Sequence, residues 1–180
     1  MIKQTLTLLS AVALVGCAAH NPEAEAVEAV TPVVEVQDII EDEETQYKWR
    51  LEGASIQEQM ALRAFQDRGI TDRLALATLM GNVKHESQCK PDICEGGARV
   101  NYEDCLTGGY GLIQWTSIGR YNNLGKFCTK YGCDPSTLEG QTRYMINENI
   151  FQRYLPMFEG SGQTVHQYMV PAFYWLGWGI

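Results

Sequence analysis

Gly81-Asn-Val-Lys-His-Glu-Ser-Gln88 and Gly108-Gly-Tyr-Gly-Leu-Ile-Gln-Trp115 are the two pieces on which the reading of this chain turns. The first closes a helix. Thr71 is a suitable N-cap, and Asp72 then places negative charge in the first turn. Leu76, Leu79, Met80 and Val83 recur at spacings of three and four, which draws one apolar helical face. Glu86 follows Val83 by three residues and Leu79 by seven, so it falls on that face. A carboxyl there is partly desolvated. It also sits near the helix C-terminus, where the dipole disfavours negative charge. Both effects raise a pKa, and a general acid needs a raised pKa to hold its proton near neutral pH.

The second piece is built for close approach. Gly108-Gly109 predicts a turn, and Gly111 lets the backbone lie against another surface. Tyr110, Gln114 and Trp115 supply aromatic faces and one amide, the groups that grip a sugar ring and its N-acetyl arm. A proton-holding carboxyl beside such a loop points to glycoside cleavage. Each residue also has a plainer use. A lone Glu on an apolar face is commonly a hydrogen-bonded structural residue. Gln114 can satisfy loop backbone, and Tyr110 and Trp115 can equally be core. His85 falls opposite Leu76 and is expected in solvent.

Taken together, Asn82-x-x-x-Glu86-Ser87, the loop with cysteines and glycines that follows, and Gly108-Gly-Tyr-Gly-Leu-x-Gln-Trp115 resemble the phage tail lysozyme family. That family belongs to the wider lysozyme and lytic-transglycosylase superfamily. The similarity spans roughly 54–148 and continues weakly through Gln141, Tyr144 and Glu148. It implies a mainly α (α+β lysozyme-like) domain, with a long loop or short hairpin beside a glycan-binding cleft. It implies Glu86 as the catalytic acid and Gly111, Leu112 and Gln114 as cleft lining. Tyr110, Trp115 and Tyr144 are further candidate glycan contacts. Ser87 is expected to hold a water or the acid's carboxyl.

The activity implied is that of a muramidase, which cleaves the β-1,4 bond between N-acetylmuramic acid and N-acetylglucosamine in peptidoglycan glycan strands. Two alternatives stand beside it: a lytic transglycosylase giving 1,6-anhydro products, and a non-catalytic peptidoglycan-binding lipoprotein. A hydrolase requires a second carboxylate. Asp92 and Glu95 are nearest to Glu86 in sequence, followed by Glu103 and Asp104. The acid-rich loop tilts the expectation to hydrolysis.

Charge is distributed unevenly. Nine acids lie between His20 and Tyr47, whereas 13 acids balance 13 bases from Lys48 onward. The net charge of −8 is therefore −9 from the linker and +1 from Lys3, and says nothing about the domain's ligand. No basic stripe marks a nucleic-acid binder. No cofactor is expected. A metal site is disfavoured as well, because no Cys-x-x-Cys pair exists and His85 and His166 lack ligand spacing.

Lys3 and an apolar run through Val15 predict a secretory signal too short to span a membrane. Leu14-Val15-Gly16-Cys17 resembles the lipobox of bacterial lipoproteins. The resemblance implies a signal peptide over 1–16 and acylation of Cys17, which anchors the protein in a lipid membrane. By the same resemblance, Ala18 in place of an Asp implies delivery to the periplasmic face of the outer membrane. Residues 17–47, rich in Glu, Ala, Val and Pro, predict an acidic disordered tether.

The domain then occupies 48–180. Ser55-Ile-Gln-Glu58 is a capping-box pattern for a helix to about Asp67. A third helix is expected from Ser117 to Gly132, its apolar face carrying Ile118, Tyr121, Leu124 and Phe127. A fourth is expected over about 136–154, after a cap at Asp134-Pro135 and closed by Pro156. Residues 165–180 predict a buried last helix broken at Pro171. The chain stops within an apolar run, so a truncated C-terminus is also an expectation. Cys89, Cys94, Cys105, Cys128 and Cys133 make an odd set outside the cytoplasm. They predict a Cys128–Cys133 bridge, one further bridge among the other three, and one free thiol.

Overall fold

The computed structural model describes residues 47–106 and 108–178; the expected signal peptide, the lipidation expected at Cys17 and nearly all of the expected tether lie outside them. Among the described residues the domain is mainly helical, as its periodicity predicts. The helices are α1 (Ile56–Asp67), α2 (Arg73–Ser87), α3 (Ile118–Tyr131), α4 (Leu138–Asn147), α5 (Asn149–Glu159) and α6 (Val165–Leu176). Strand pairing is reduced to two isolated antiparallel bridges, Ile93 with Arg99 and Cys94 with Tyr110. None of these helices is long and apolar enough to cross a membrane.

Local chemistry explains the helix ends. Ser55 and Glu58 close the capping box: the Ser55 hydroxyl accepts from the Glu58 amide, and the Glu58 carboxylate accepts from the Ser55 amide at 2.9 Å. Such a cap contributes about 1 kcal/mol. The start of α2 corrects the sequence reading. Asp72, not Thr71, is the N-cap; its Oδ1 accepts from the Leu74 and Ala75 amides at 2.8 and 3.1 Å. Its other oxygen accepts from the Gly162 amide at 3.0 Å. The carboxylate thus satisfies three amides at once, which the Thr71 hydroxyl cannot do. Thr71 instead gives its carbonyl to the Trp49 indole.

Two further helices depart from expectation. Ile118 does not join the buried stripe of α3; it is 80% exposed, and the stripe rests on Leu124 and Cys128. The single helix expected over 136–154 is two. Thr137 rather than Asp134 caps α4, its hydroxyl accepting from the Gly140 amide at 3.1 Å. The helix then breaks at Glu148, whose backbone is extended at φ −61° and ψ 133°. The break turns the Glu148 side chain inward, as shown below. Pro156 and Pro171 lie inside α5 and α6 and end neither.

The core is where the helices converge. Phe65 of α1, Phe151 of α5 and Trp175 of α6 meet with ring centroids 5.1–6.0 Å apart. All three are fully buried. Each contributes about 1.5–3 kcal/mol by leaving water. Leu76, Leu79, Met80 and Val83 of α2 are buried as their spacing predicts, and α2 packs on both α1 and α6.

Disulfides join Cys94 to Cys105 and Cys128 to Cys133, with Cα atoms 5.6 and 4.4 Å apart. The first staples the loop between α2 and α3, and the second fixes the end of α3. Cys89 is free and buried, and burial pushes its thiol up to about 11. A thiol so protonated is a weak nucleophile.

Candidate active site

The end of α2 is held from two sides. Along the helix, the buried Asn82 amide donates to the Thr78 carbonyl at 2.8 Å and to Met169 Sδ of α6 at 3.4 Å. On the outer face, Lys84 pairs with Glu58 of α1 at 2.7 Å. Beyond Ser87 the chain turns sharply. Gln88 and Cys89 both take the left-handed conformation, at φ 54° and 59°, which non-glycine residues adopt only at a cost. Such strain gathers at functional positions.

Glu86 lies just before that turn, half-buried. Its carboxyl pKa is raised above the ordinary value, and desolvation is the main cause. The charge of the neighbouring His85 and a hydrogen bond from the Trp178 indole pull more weakly the other way. Among the described residues no Lys or Arg pairs with it. His85 is exposed, as expected.

Ser87 is tied to backbone carbonyls. It is buried, and its hydroxyl donates to the Val83 and Leu112 carbonyls at 3.2 and 2.8 Å. It holds the glycine-rich loop against the end of α2. Gln141 of α4, also fully buried, does the same from the far side. Its Oε1 accepts from the Leu112 amide at 2.9 Å, and its Nε2 donates to the Pro91 and Pro135 carbonyls. Gly111 makes room for this. Its φ is +74°, and a Cβ there would sit 2.3 Å from Gln141 Oε1. The close approach expected of Gly111 is therefore backbone against an internal amide.

The other expected glycan contacts are mostly internal. Tyr110, Leu112 and Trp115 are fully buried, and Tyr144 nearly so. Tyr110 donates to the Val100 carbonyl at 3.2 Å. The Trp115 ring packs on Tyr144, with centroids 5.3 Å apart. Tyr110, Leu112 and Trp115 are therefore core, and a surface ligand cannot stack on the Tyr110 or Trp115 ring. Gln114 follows the plainer use: its amide donates to the Gly111 and Ile93 carbonyls at 3.0 and 3.3 Å.

The loop acids divide. Asp92 is engaged by Arg99, whose Nε donates to it at 2.6 Å. Glu95 is exposed, and its side chain lies over Gly108, where any Cβ would overlap it. Its amide donates to the Gly109 carbonyl at 2.8 Å, so Glu95 is fixed to the glycine-rich loop. Glu103 and Asp104 form an exposed 3-10 turn with Tyr102.

Two features escaped the sequence reading. The first is an exposed aromatic group beside the acid. Trp178, Phe173 and Tyr174 are each at least 40% exposed, and the Phe173 ring lies 6.2 Å from Trp178 and 5.7 Å from Tyr174. Their apolar character suggested burial. The available signal was Gly177, which ends α6 in the left-handed conformation and releases Trp178 from the helix. The second is a buried ion pair. Arg120 donates to both oxygens of Glu148, from Nε at 2.6 Å and from Nη2 at 2.7 Å. The Trp115 indole and the Tyr144 hydroxyl also point at that carboxylate, each at 3.4 Å. Nothing local in the sequence links residues 28 apart.

A groove of ≈ 830 Å³ runs between α3, α4 and the start of α5. Glu86 does not line it, so this groove and the perturbed carboxyl are separate features.

No curated protein and no solved structure matches the chain. The family model of the phage tail lysozyme matches residues 57–168, which spans α1 through the start of α6 and includes both glycine-rich and acid-bearing pieces. With Glu86 desolvated at the end of α2, and the loop pinned to it through Ser87, the match and the geometry agree: this chain belongs to the phage tail lysozyme family, whose lysozyme-like glycosidases degrade peptidoglycan.

Proposed function

We propose that the domain cleaves the β-1,4 bond between N-acetylmuramic acid and N-acetylglucosamine, with Glu86 as general acid. One observation carries the reading. Glu86 is a carboxyl whose pKa is raised by desolvation, and it sits where a helix end, a pinned loop and exposed aromatic rings come together. Protonating the glycosidic oxygen lets the bond break toward an oxocarbenium-like transition state. The Trp178 indole lies beside the carboxyl and favours its ionised form. With Phe173 and Tyr174 it offers rings on which sugar faces pack.

The loop acids bear on the second half of the reaction. Asp92 is tied to Arg99, which leaves Glu95, fixed beside Gly109, as the freer candidate for the second carboxylate. With Glu95 in that role the products are reducing-end saccharides. A lytic transglycosylase would need Glu86 alone, since the muramic acid's own hydroxyl closes on C1.

The test is mass analysis of products from purified peptidoglycan, with the native protein and Glu86→Gln. The native protein should release reducing-end muropeptides. Glu86→Gln should lower cleavage by about two to four orders of magnitude, the scale of a lost general acid. Anhydro-muropeptides as the main product would move the assignment to a transglycosylase. Undiminished cleavage by Glu86→Gln would overturn the role of Glu86 altogether.

A further inference from the structure

The groove between α3, α4 and α5 has a chemistry of its own. Lys126 and Lys130 stand one turn apart on the exposed side of α3, and Arg143 faces them from α4. Like charges at i and i+4 destabilise a helix, and α3 carries this pair with no acid between its turns to relieve it. The acids near the groove are already committed. Glu148 is held by Arg120, and Glu139 pairs with Arg143 at 3.3 Å in solvent. The residual charge of the groove is positive, in a domain whose charges otherwise balance.

The floor is different from the rim. Phe127, Tyr144 and Ile150 supply apolar surface, and Asn149 is exposed at the start of α5. A ligand that fits must combine small apolar groups with several carboxylates. Duplex nucleic acid fits less well, because it presents a regular phosphate array with no small apolar groups for the floor. The peptide stem of peptidoglycan has the required chemistry: methyl side chains alternate with free carboxylates along a short backbone.

The Arg120 end of the groove also touches the acid-bearing side of the domain. Arg120 Nη1 donates to the Leu176 carbonyl at 3.1 Å, two residues before Trp178, whose indole lies beside Glu86. A glycan strand at Glu86 carries its stems on every second sugar, so a stem can be held while the strand is cut.

We propose that the Lys126–Lys130–Arg143 groove binds the acidic peptide stems of peptidoglycan. The proposal rests on peptidoglycan being the substrate, but not on the chemistry at Glu86.

The experiment is co-sedimentation with insoluble sacculi, before and after an amidase has removed the stems. It compares the native protein with the double variant Lys126→Glu/Lys130→Glu, and with Lys126→Arg/Lys130→Arg. Binding does not require turnover, so failure of this proposal and failure of the glycosidase reading give different results. On stem-bearing sacculi the Glu variant should bind about tenfold more weakly, the sum of several exposed charge contacts. The Arg variant should bind like the native protein. On stripped glycan all three should bind alike. Equal loss on both substrates, or no loss on either, would overturn the proposal. Tighter binding of the native protein to duplex DNA than to stem-bearing sacculi, abolished in the Glu variant, would assign the groove to nucleic acid instead.

Discussion

Glu86 and Glu148 are the same residue in opposite surroundings. Glu148 is the more buried, yet both its oxygens are filled by the Arg120 guanidinium, with an indole and a phenol close by. Glu86 is less buried and lies beside the Trp178 indole, with no guanidinium or ammonium paired to it among the described residues. Burial of a carboxyl is therefore not what marks a proton donor. What matters is burial without a paired cation, because a bidentate guanidinium makes the ionised form the one that fits. Glu148 organises a helix break, whereas Glu86 has no paired cation to hold it ionised.

The largest stability effect should come from breaking the clamp. Arg120→Met leaves Glu148 buried without its cation and should cost about 3–5 kcal/mol in chemical denaturation. A loss under 1 kcal/mol would mean that the pair is solvated and the contrast with Glu86 is weaker than drawn here. The next effect tests how the two regions are joined. Gln141 holds Leu112, and the Leu112 carbonyl holds Ser87, one residue from Glu86. Gly111→Ala forces a side chain into the left-handed conformation and onto the Gln141 amide. It should cost about 2–4 kcal/mol from strain and disturbed hydrogen bonds. An unchanged denaturation midpoint would separate the loop from the helix end.

A smaller effect sharpens the Glu86 side. Trp178→Phe keeps a ring but removes the indole N–H that favours the ionised carboxylate. The Glu86 pKa should then rise further. Because the general acid works protonated, activity is lost as pH rises through that pKa. The basic limb of the pH–rate profile should therefore move to higher pH in the variant. A shift to lower pH would reverse the assigned role of Trp178.

Much of this was legible in the sequence, and the exceptions share a cause. The apolar spacing of α2 placed Glu86 on the buried face because helical periodicity is local. The capping box at Ser55 and the glycine ending α3 were legible for the same reason. The helix break at Glu148 was not, since it is held by Arg120, on another helix. Nor was the inward fate of Tyr110, Leu112 and Trp115, because glycan-gripping and core-filling roles use the same residue types and only packing separates them. Trp178 was masked by its apolar neighbours, and its direction depends on the turn at Gly177.

The account rests most directly on the state of one carboxyl. Titration of the Glu86 side-chain carboxyl by carbon-13 NMR, assigned by its disappearance in Glu86→Gln, measures that state without any substrate. The account predicts a midpoint clearly above the ordinary glutamate value of 4.5. A midpoint at or below that value would show an ionised Glu86 at neutral pH and would contradict its assignment as the proton donor.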